Sequence, residues 1–306
     1  MQRPFEVSSE LYPFTSRWQT VEGLPVHYVD EGSGPTLLFL HGNPTWSFLY
    51  RDIIAGLRDQ FRCVALDYPG MGMSGKPRDH GQPQYGFTPA EHSRIVGGFV
   101  ESLDLRDLTL MVQDWGGPIG LGMAGRMPDR IARLVIGNTW AWPADPIDMK
   151  IFSTVLGRGV GRFAILNFNL FVERLLPAGV NRKDRLTPEV MAAYRGPYPT
   201  PIDRMPTAVF PRAIVASRPF LTEVYAGLGR LADKPVQIVW GNKDMAFKTR
   251  ELDRWRGVFP RAQLRVLDGA NHFIQEDAPG DIMDAIRQFV PTGTFTSGPR
   301  DSARIM

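Results

Sequence analysis

The chain has 306 residues, 43% hydrophobic and 22% charged, with a formal net charge of +3. That is ordinary globular composition, long enough for one large domain with an insertion or for two domains. Its Lys and Arg residues are scattered rather than clustered, which argues against a nucleic-acid surface. No apolar run approaches a membrane span, and the N-terminus lacks the apolar segment of a signal peptide. The one cysteine, Cys63, cannot form an internal disulfide and reads as a small core residue. The expectation is a soluble cytoplasmic protein.

In chain order, candidate strands fall at 26–30, 36–40, 62–66, 108–112, 134–137, 236–240 and 263–267, the last with the weakest pattern. Most are continuous apolar runs, as strands covered on both faces require. Candidate helices fall at 47–57, 89–103, 118–127 and 279–289. Short strands alternating with helices predict an α/β fold, a parallel sheet with helices on both faces. The alternation breaks after Trp140. From about Pro143 to Leu228 the chain is rich in Phe, Leu, Met and Pro, with an amphipathic stretch at 163–176 and a broken segment at 194–211. It resumes at Lys234. The simplest organisation is a core of 1–140 and 229–290, a helical insertion of 141–228 and a disordered tail of 291–306.

Two G-x-G-x-x-G matches, at 70–75 and 120–125, invite a dinucleotide reading. Such a loop must lie directly between a strand and a helix. The first is followed by Lys76-Pro77, and the second falls inside a candidate helix. No G-x-S-x-G occurs either: Ser74 comes close, but Lys76 replaces the second glycine.

The most informative segment is LTLMVQDWGG, 108–117. An apolar strand ends, Gln113-Asp114-Trp115 follows, and paired glycines lead into a helix. This is the strand–turn–helix shape of a nucleophile elbow, with aspartate at the nucleophile's place and Gly116 leaving room for the turn. Val112 stands where a small residue is usual. Taken alone, Asp114 could equally be an N-cap. Two partners shift the balance. Asp244, in VWGNKD, and His272, in GANHF, each follow a strand, and the order nucleophile, acid, histidine is that of α/β-hydrolases. All three lie beyond the carboxyl ends of strands, where open α/β sheets place their sites. His27, His41, His80 and His92 lack that context. The loop His41-Gly42-Asn43 sits where a backbone N–H for an oxyanion is supplied, and Asn43 adds a side-chain amide.

An aspartate nucleophile narrows the chemistry. The carboxylate needs no base for attack, but on an acyl group it would give a labile anhydride. On an sp³ carbon it gives a stable alkyl ester, if a leaving group departs. Halides and strained epoxides both qualify. A halide needs only N–H donors in a dry pocket, and the Trp115 indole and Asn43 amide offer them. An epoxide needs an acid, usually a tyrosine, and Tyr194, Tyr198 and Tyr225 in the insertion keep that alternative open. A ligand-binding receptor with vestigial chemistry is a third possibility, against which an intact triad speaks.

HGNPTWSFLYR, VQDWGGPIGL, FVERLLPAG and GANHFIQEDAP together resemble the haloalkane dehalogenases, over nearly the whole chain from Leu11 to Phe289. DWGG alone is shared with epoxide hydrolases. The resemblance implies an α/β-hydrolase fold: a mostly parallel eight-stranded sheet flanked by helices, with an inserted helical cap. It implies Asp114 as nucleophile, His272 as base, Asp244 as its partner, and Asn43 with Trp115 as the halide clamp. Some members carry a glutamate after the sixth strand. Here that place reads Ile136-Gly137-Asn138, so Asp244 is the acid. The set is similar to the subfamily called type III, whose members tend to self-associate, which implies a homo-oligomer. The substrates implied are a small halogenated hydrocarbon and water. No metal or organic cofactor is needed, and neither a nucleic acid nor a membrane is expected as partner.

Overall fold

The structure is a computed structural model that describes residues 2–77 and 85–292. His80 and positions 293–306 of the expected tail lie outside the described residues. Eight strands form one sheet in the order β1-β2-β4-β3-β5-β6-β7-β8. They are β1 (Arg17–Val21), β2 (Leu24–Glu31), β3 (Thr36–Leu40), β4 (Arg62–Leu66), β5 (Leu108–Val112), β6 (Ile131–Ile136), β7 (Val236–Gly241) and β8 (Gln263–Leu267). β2 pairs antiparallel with both β1 and β4, and β3 to β8 are mutually parallel.

Every residue of β5 and β7 is buried, the signature of strands covered on both faces. β8 lies at an edge and is mostly exposed, so its sequence pattern is weak. β1 was not expected from the sequence. It too is a half-exposed edge strand, joined to β2 by the two-residue turn Glu22-Gly23, with both residues at positive φ. Glycine in such a turn is a hairpin signal. Strand β6 starts three residues before the expected 134, where the half-buried Ala132 and Arg133 interrupt the apolar run.

The helices in chain order are α1 (Arg51–Leu57), α2 (Pro89–Ser102), α3 (Gly116–Arg126), α4 (Ile147–Gly157), α5 (Gly159–Phe168), α6 (Leu176–Ala178), α7 (Pro188–Arg195), α8 (Met205–Ala216), α9 (Arg218–Gly227), α10 (Thr249–Val258), α11 (Ile274–Asp277) and α12 (Pro279–Phe289). α2 begins with Pro89 behind a reciprocal cap, Thr88 with Glu91. The expected helix at 47–57 is a 3-10 turn, Ser47–Tyr50, running into α1. The stretch at 163–176 is not one helix. Asn169 takes a left-handed conformation after α5, and a π-helical turn, Phe171–Leu175, follows. Its apolar residues serve two short elements rather than one face.

α4 to α9 lie between β6 and β7, as a helical insertion. Buried polar contacts tie it to the sheet. Arg51 makes a bidentate pair with Glu276, which also accepts from the Tyr194 hydroxyl. The Trp46 indole donates to the Ala193 carbonyl, and Tyr198 donates to that of Pro44. Among the described residues, no helix is long and apolar enough to cross a membrane.

Candidate active site

The glycine-rich loop at 70–75 runs through turns into the irregular chain of 76–77, with no helix directly behind it among the described residues, and the glycines at 120–125 lie inside α3. Neither has the setting of a dinucleotide site. Ser74 is a core tie: its hydroxyl donates to the Asp67 carbonyl and accepts from the His27 amide. Cys63 is buried, and burial pushes its thiol up to about 12.

Asp114 follows β5 directly, in the left-handed region at φ +49, which aspartate tolerates better than most residues. Its amide donates to the Asn138 carbonyl, and its own carbonyl accepts from the Thr139 hydroxyl at 2.5 Å. These bonds hold the turn against its strain. The N-cap alternative is not what the chain adopts. α3 starts at Gly116 behind Trp115, and no side chain caps it. The Asp114 carboxylate turns instead towards the loop after β3, where Oδ1 accepts from the Asn43 amide at 2.8 Å.

Two glycines make that approach possible. A Cβ on Gly42 would stand 2.1 Å from Asp114 Oδ1, and one on Gly116 would stand 2.2 Å from the Leu40 carbonyl oxygen. Any side chain at either place would drive the carboxylate or the turn out of position.

His272 follows β8, and the loop after β7 carries Asp244. Asp244 Oδ2 lies 3.1 Å from His272 Nδ1, while Oδ1 accepts from the Ala246 and Phe247 amides. On the ring's other side, Nε2 stands 3.6 Å from Asp114 Oδ2. Burial opposes charge on His272, but Asp244 and then Asp114 outweigh it and push its pKa up to about 9. For Asp114 burial wins, raising its pKa against the opposing pull of His272 and of the Trp115 and Asn43 amides.

Asp114, His272, Asn43 and Trp115 all line a cavity of about 340 Å³ between the sheet's carboxyl edge and the insertion. Its other walls include Trp140, Phe171, Leu175, Ile214 and Phe247, so these polar groups face a largely apolar space. Trp115 packs edge-on to Trp140 at 4.6 Å. The Asn43 side-chain nitrogen donates weakly to the Thr207 carbonyl at 3.3 Å, leaving its second hydrogen. None of Tyr194, Tyr198 and Tyr225 lines the cavity.

Three supporting residues escaped the sequence reading. Asn138, just past β6, donates to Asp244 Oδ2 at 2.9 Å and exchanges bonds with Gly241. Gln113 donates to the His272 carbonyl, and Thr139 holds the elbow. Asn138 was visible only as a missing carboxylate. Its position beyond a central strand was the available signal. The remaining described histidines are packed into the core: His41 and His92 are brought down by burial to about 4 and about 3.

Residues 35–279 match the alpha/beta hydrolase fold family. The chain is similar to haloalkane dehalogenase 2 of Mycobacterium tuberculosis, 47% identical over 94% of this chain and 98% of that one. It is also similar to the cis-3-alkyl-4-alkyloxetan-2-one decarboxylase of Xanthomonas campestris, 35% identical over 91% of this chain and 97% of that one. Among solved structures, it resembles the crystal structure of haloalkane dehalogenase DbeA from Bradyrhizobium elkani. There the TM-score is 0.80 at 27% identity, covering 89% of this chain and 96% of that one.

Proposed function

The chain belongs to the haloalkane dehalogenase family of the α/β-hydrolase fold, and from that premise we propose that Asp114 is the nucleophile that takes the alkyl group. The reaction converts a haloalkane and water into an alcohol, a halide ion and a proton. Asp114 Oδ1 is tied to the Asn43 amide, so attack falls to Oδ2. Oδ2 displaces halide in line, the carbon–halogen bond breaks with its electron pair on the halide, and an alkyl ester forms on Asp114. The indole N–H of Trp115 and the free amide hydrogen of Asn43 receive the departing halide.

His272, oriented by Asp244, then takes a proton from water as that water attacks the ester carbonyl. The backbone N–H groups of Asn43 and Trp115 hold the oxyanion. Ester formation also removes the Asp114 charge that helps to raise His272, so its pKa falls and more of the imidazole is neutral, and free to take a proton, when its turn comes. The observation that carries this reading is the geometry across one apolar cavity: carboxylate, imidazole and second carboxylate in series, with two N–H donors beside the first.

Two finer points belong to the same proposal. Asp244, with Asn43 and Trp115, makes this a type III member, supported by Asn138 standing where other members place a glutamate. The self-association common to that subfamily is then expected of this chain, and analytical ultracentrifugation reads it. The helices of 141–228 act as a cap that sets the pocket's shape.

The deciding experiment is His272→Phe incubated with 1,2-dibromoethane. We expect one bromide released per chain and a stable bromoethyl ester on Asp114, seen as added mass on its peptide. No adduct would sink the assignment. Styrene oxide and a cis-3,4-dialkyl oxetan-2-one, given to the unaltered enzyme, test the alternatives. Turnover of either without bromide release from dibromoethane overturns the haloalkane reading.

A further inference from the structure

α4 carries apolar side chains on its outer face as well as on its inner one, where Met149 and Leu156 pack half-buried against the core. It turns Ser153 and Gly157 into the protein, with Gly157 pressed against the Arg212 backbone of α8. Ile147, Ile151 and Val155, spaced four apart on one face, point outwards, Ile147 at 71% exposure. α5 continues the surface with Val160 at 84%, Phe163 at 57% and Phe168 at 67%, the two phenylalanines edge to face. Scattered exposed apolar residues need no explanation, but a run of six over two adjoining helices does.

The patch is continuous with the mouth of the cavity. Phe152 and Met245 are both exposed and both line the cavity wall. Its charge is one-sided. Between Asp148 and Glu173 the sequence holds Lys150, Arg158 and Arg162 and no acidic residue. The acids at the two ends are already engaged, Asp148 by Arg250 and Lys248, Glu173 by Arg195. Lys150 and Arg158 stand exposed beside the apolar face.

We infer that this α4–α5 face docks the cavity mouth onto an anionic lipid surface, so that haloalkanes dissolved among acyl chains enter without crossing water. Apolar side chains beside cations, with the one acid among them, Asp148, already neutralised by Arg250 and Lys248, resemble the composition of helices that lie in a membrane interface. A second copy of the chain is the poorer occupant. In a two-fold interface the patch meets itself, and the facing cations would find only Asp148, which Arg250 and Lys248 already hold. An anionic surface supplies the missing charge, and the acyl region takes the Ile, Val and Phe side chains. The delivery of substrate rests on the cavity being a haloalkane site, but the docking does not.

The test uses the full chain and vesicles, either pure phosphatidylcholine or phosphatidylcholine with phosphatidylglycerol at about two to one. The protein should co-sediment with the second kind and be released as salt shortens the screening length. Each cation near such a surface contributes a factor of about five, so Lys150→Gln with Arg158→Gln should weaken partition about 25-fold. Ile151→Asn with Val160→Asn should weaken it as well. Both double variants should release bromide from dissolved 1,2-dibromoethane at the unaltered rate, but more slowly from 1-bromohexadecane carried in vesicles.

Binding that is absent, or indifferent to phosphatidylglycerol, overturns the inference. So does a change of oligomeric state in these variants with vesicle binding intact, since that assigns the face to a second copy. Vesicle binding without any bromide release from dibromoethane leaves the docking standing and counts against the reading of the cavity.

Discussion

Two histidine–carboxylate pairs stand among the described residues, His27 with Asp67 and His272 with Asp244, and they differ in their surroundings. In the first, His27 Nδ1 lies 2.8 Å from Asp67 Oδ2, and both side chains are fully buried. The Ser47 and Met73 amides complete the carboxylate, and Ser16 meets the far ring nitrogen at 3.0 Å. Burial opposes the charge on Asp67, yet His27 and the other donors hold its pKa below the usual range. In the second, the carboxylate is just as well tied, to Asn138, Ala246 and Phe247. The difference is at the far nitrogen. His272 Nε2 faces another carboxylate across 3.6 Å at the wall of a cavity. A histidine–aspartate pair therefore does not mark a reacting site. What marks it is the ring face left open to a ligand and the second charge placed across it.

That contrast can be broken by substitution. The largest effect should come from Asp114→Ala, which removes the group opposite His272 and should lower steady-state bromide release by at least about 10⁴-fold. If activity survives within tenfold, the nucleophile is elsewhere. Next, Trp115→Phe keeps the ring against Trp140 but deletes the indole N–H. It should cost about 10² to 10³ in kcat, as loss of one preorganised donor does. An unchanged kcat would remove Trp115 from the halide site.

The core pair should respond in the opposite way. His27→Ala leaves the Asp67 carboxylate buried and short of a donor, and should lower stability by about 3 kcal/mol in urea unfolding. The folded variant should keep its kcat. A kcat that collapses with the fold intact would mean that the two pairs are not independent. The smallest effect is a pH shift. Resting His272 is raised to about 9 by Asp244 and Asp114 together. The alkyl ester cancels the Asp114 contribution, so ester decay should titrate below 9 and stay fast as pH falls towards that lower value. Stopped-flow decay with an inflection at 9 or above would show that the Asp114 charge is not felt.

Much of this was legible in the sequence, for reasons that differ by residue. β5 and β7 lie in the middle of the sheet, and full burial wrote them as continuous apolar runs. β1 needs only one covered face, so the turn at Glu22-Gly23 was a better signal than the strand itself. Asp114, Asp244 and His272 were found because each lies in the loop just past a strand, in the chain order nucleophile, acid, histidine. Asn138 has the same placement, but an asparagine that acts by holding another side chain carries no chemistry of its own to notice. The two pairs could not be told apart in sequence, because their difference is the open space on one side of a ring. The outward face of α4 was hidden too. Its apolar spacing is that of any core helix, and only packing shows Ser153 and Gly157 turned inwards instead.

The close fit of Gly42 and Gly116 also governs how this pocket can change over time. The floor is a mould with no slack, since one added carbon at Gly42 meets the Asp114 carboxylate at 2.1 Å. A library varied at those two positions should return only the parental glycines. Leu175 and Ile214 line the cavity from the inserted helices, and neither touches the Asp114 turn through such a glycine contact. Selection for a new substrate, natural or imposed, is thereby channelled to one side of the cavity.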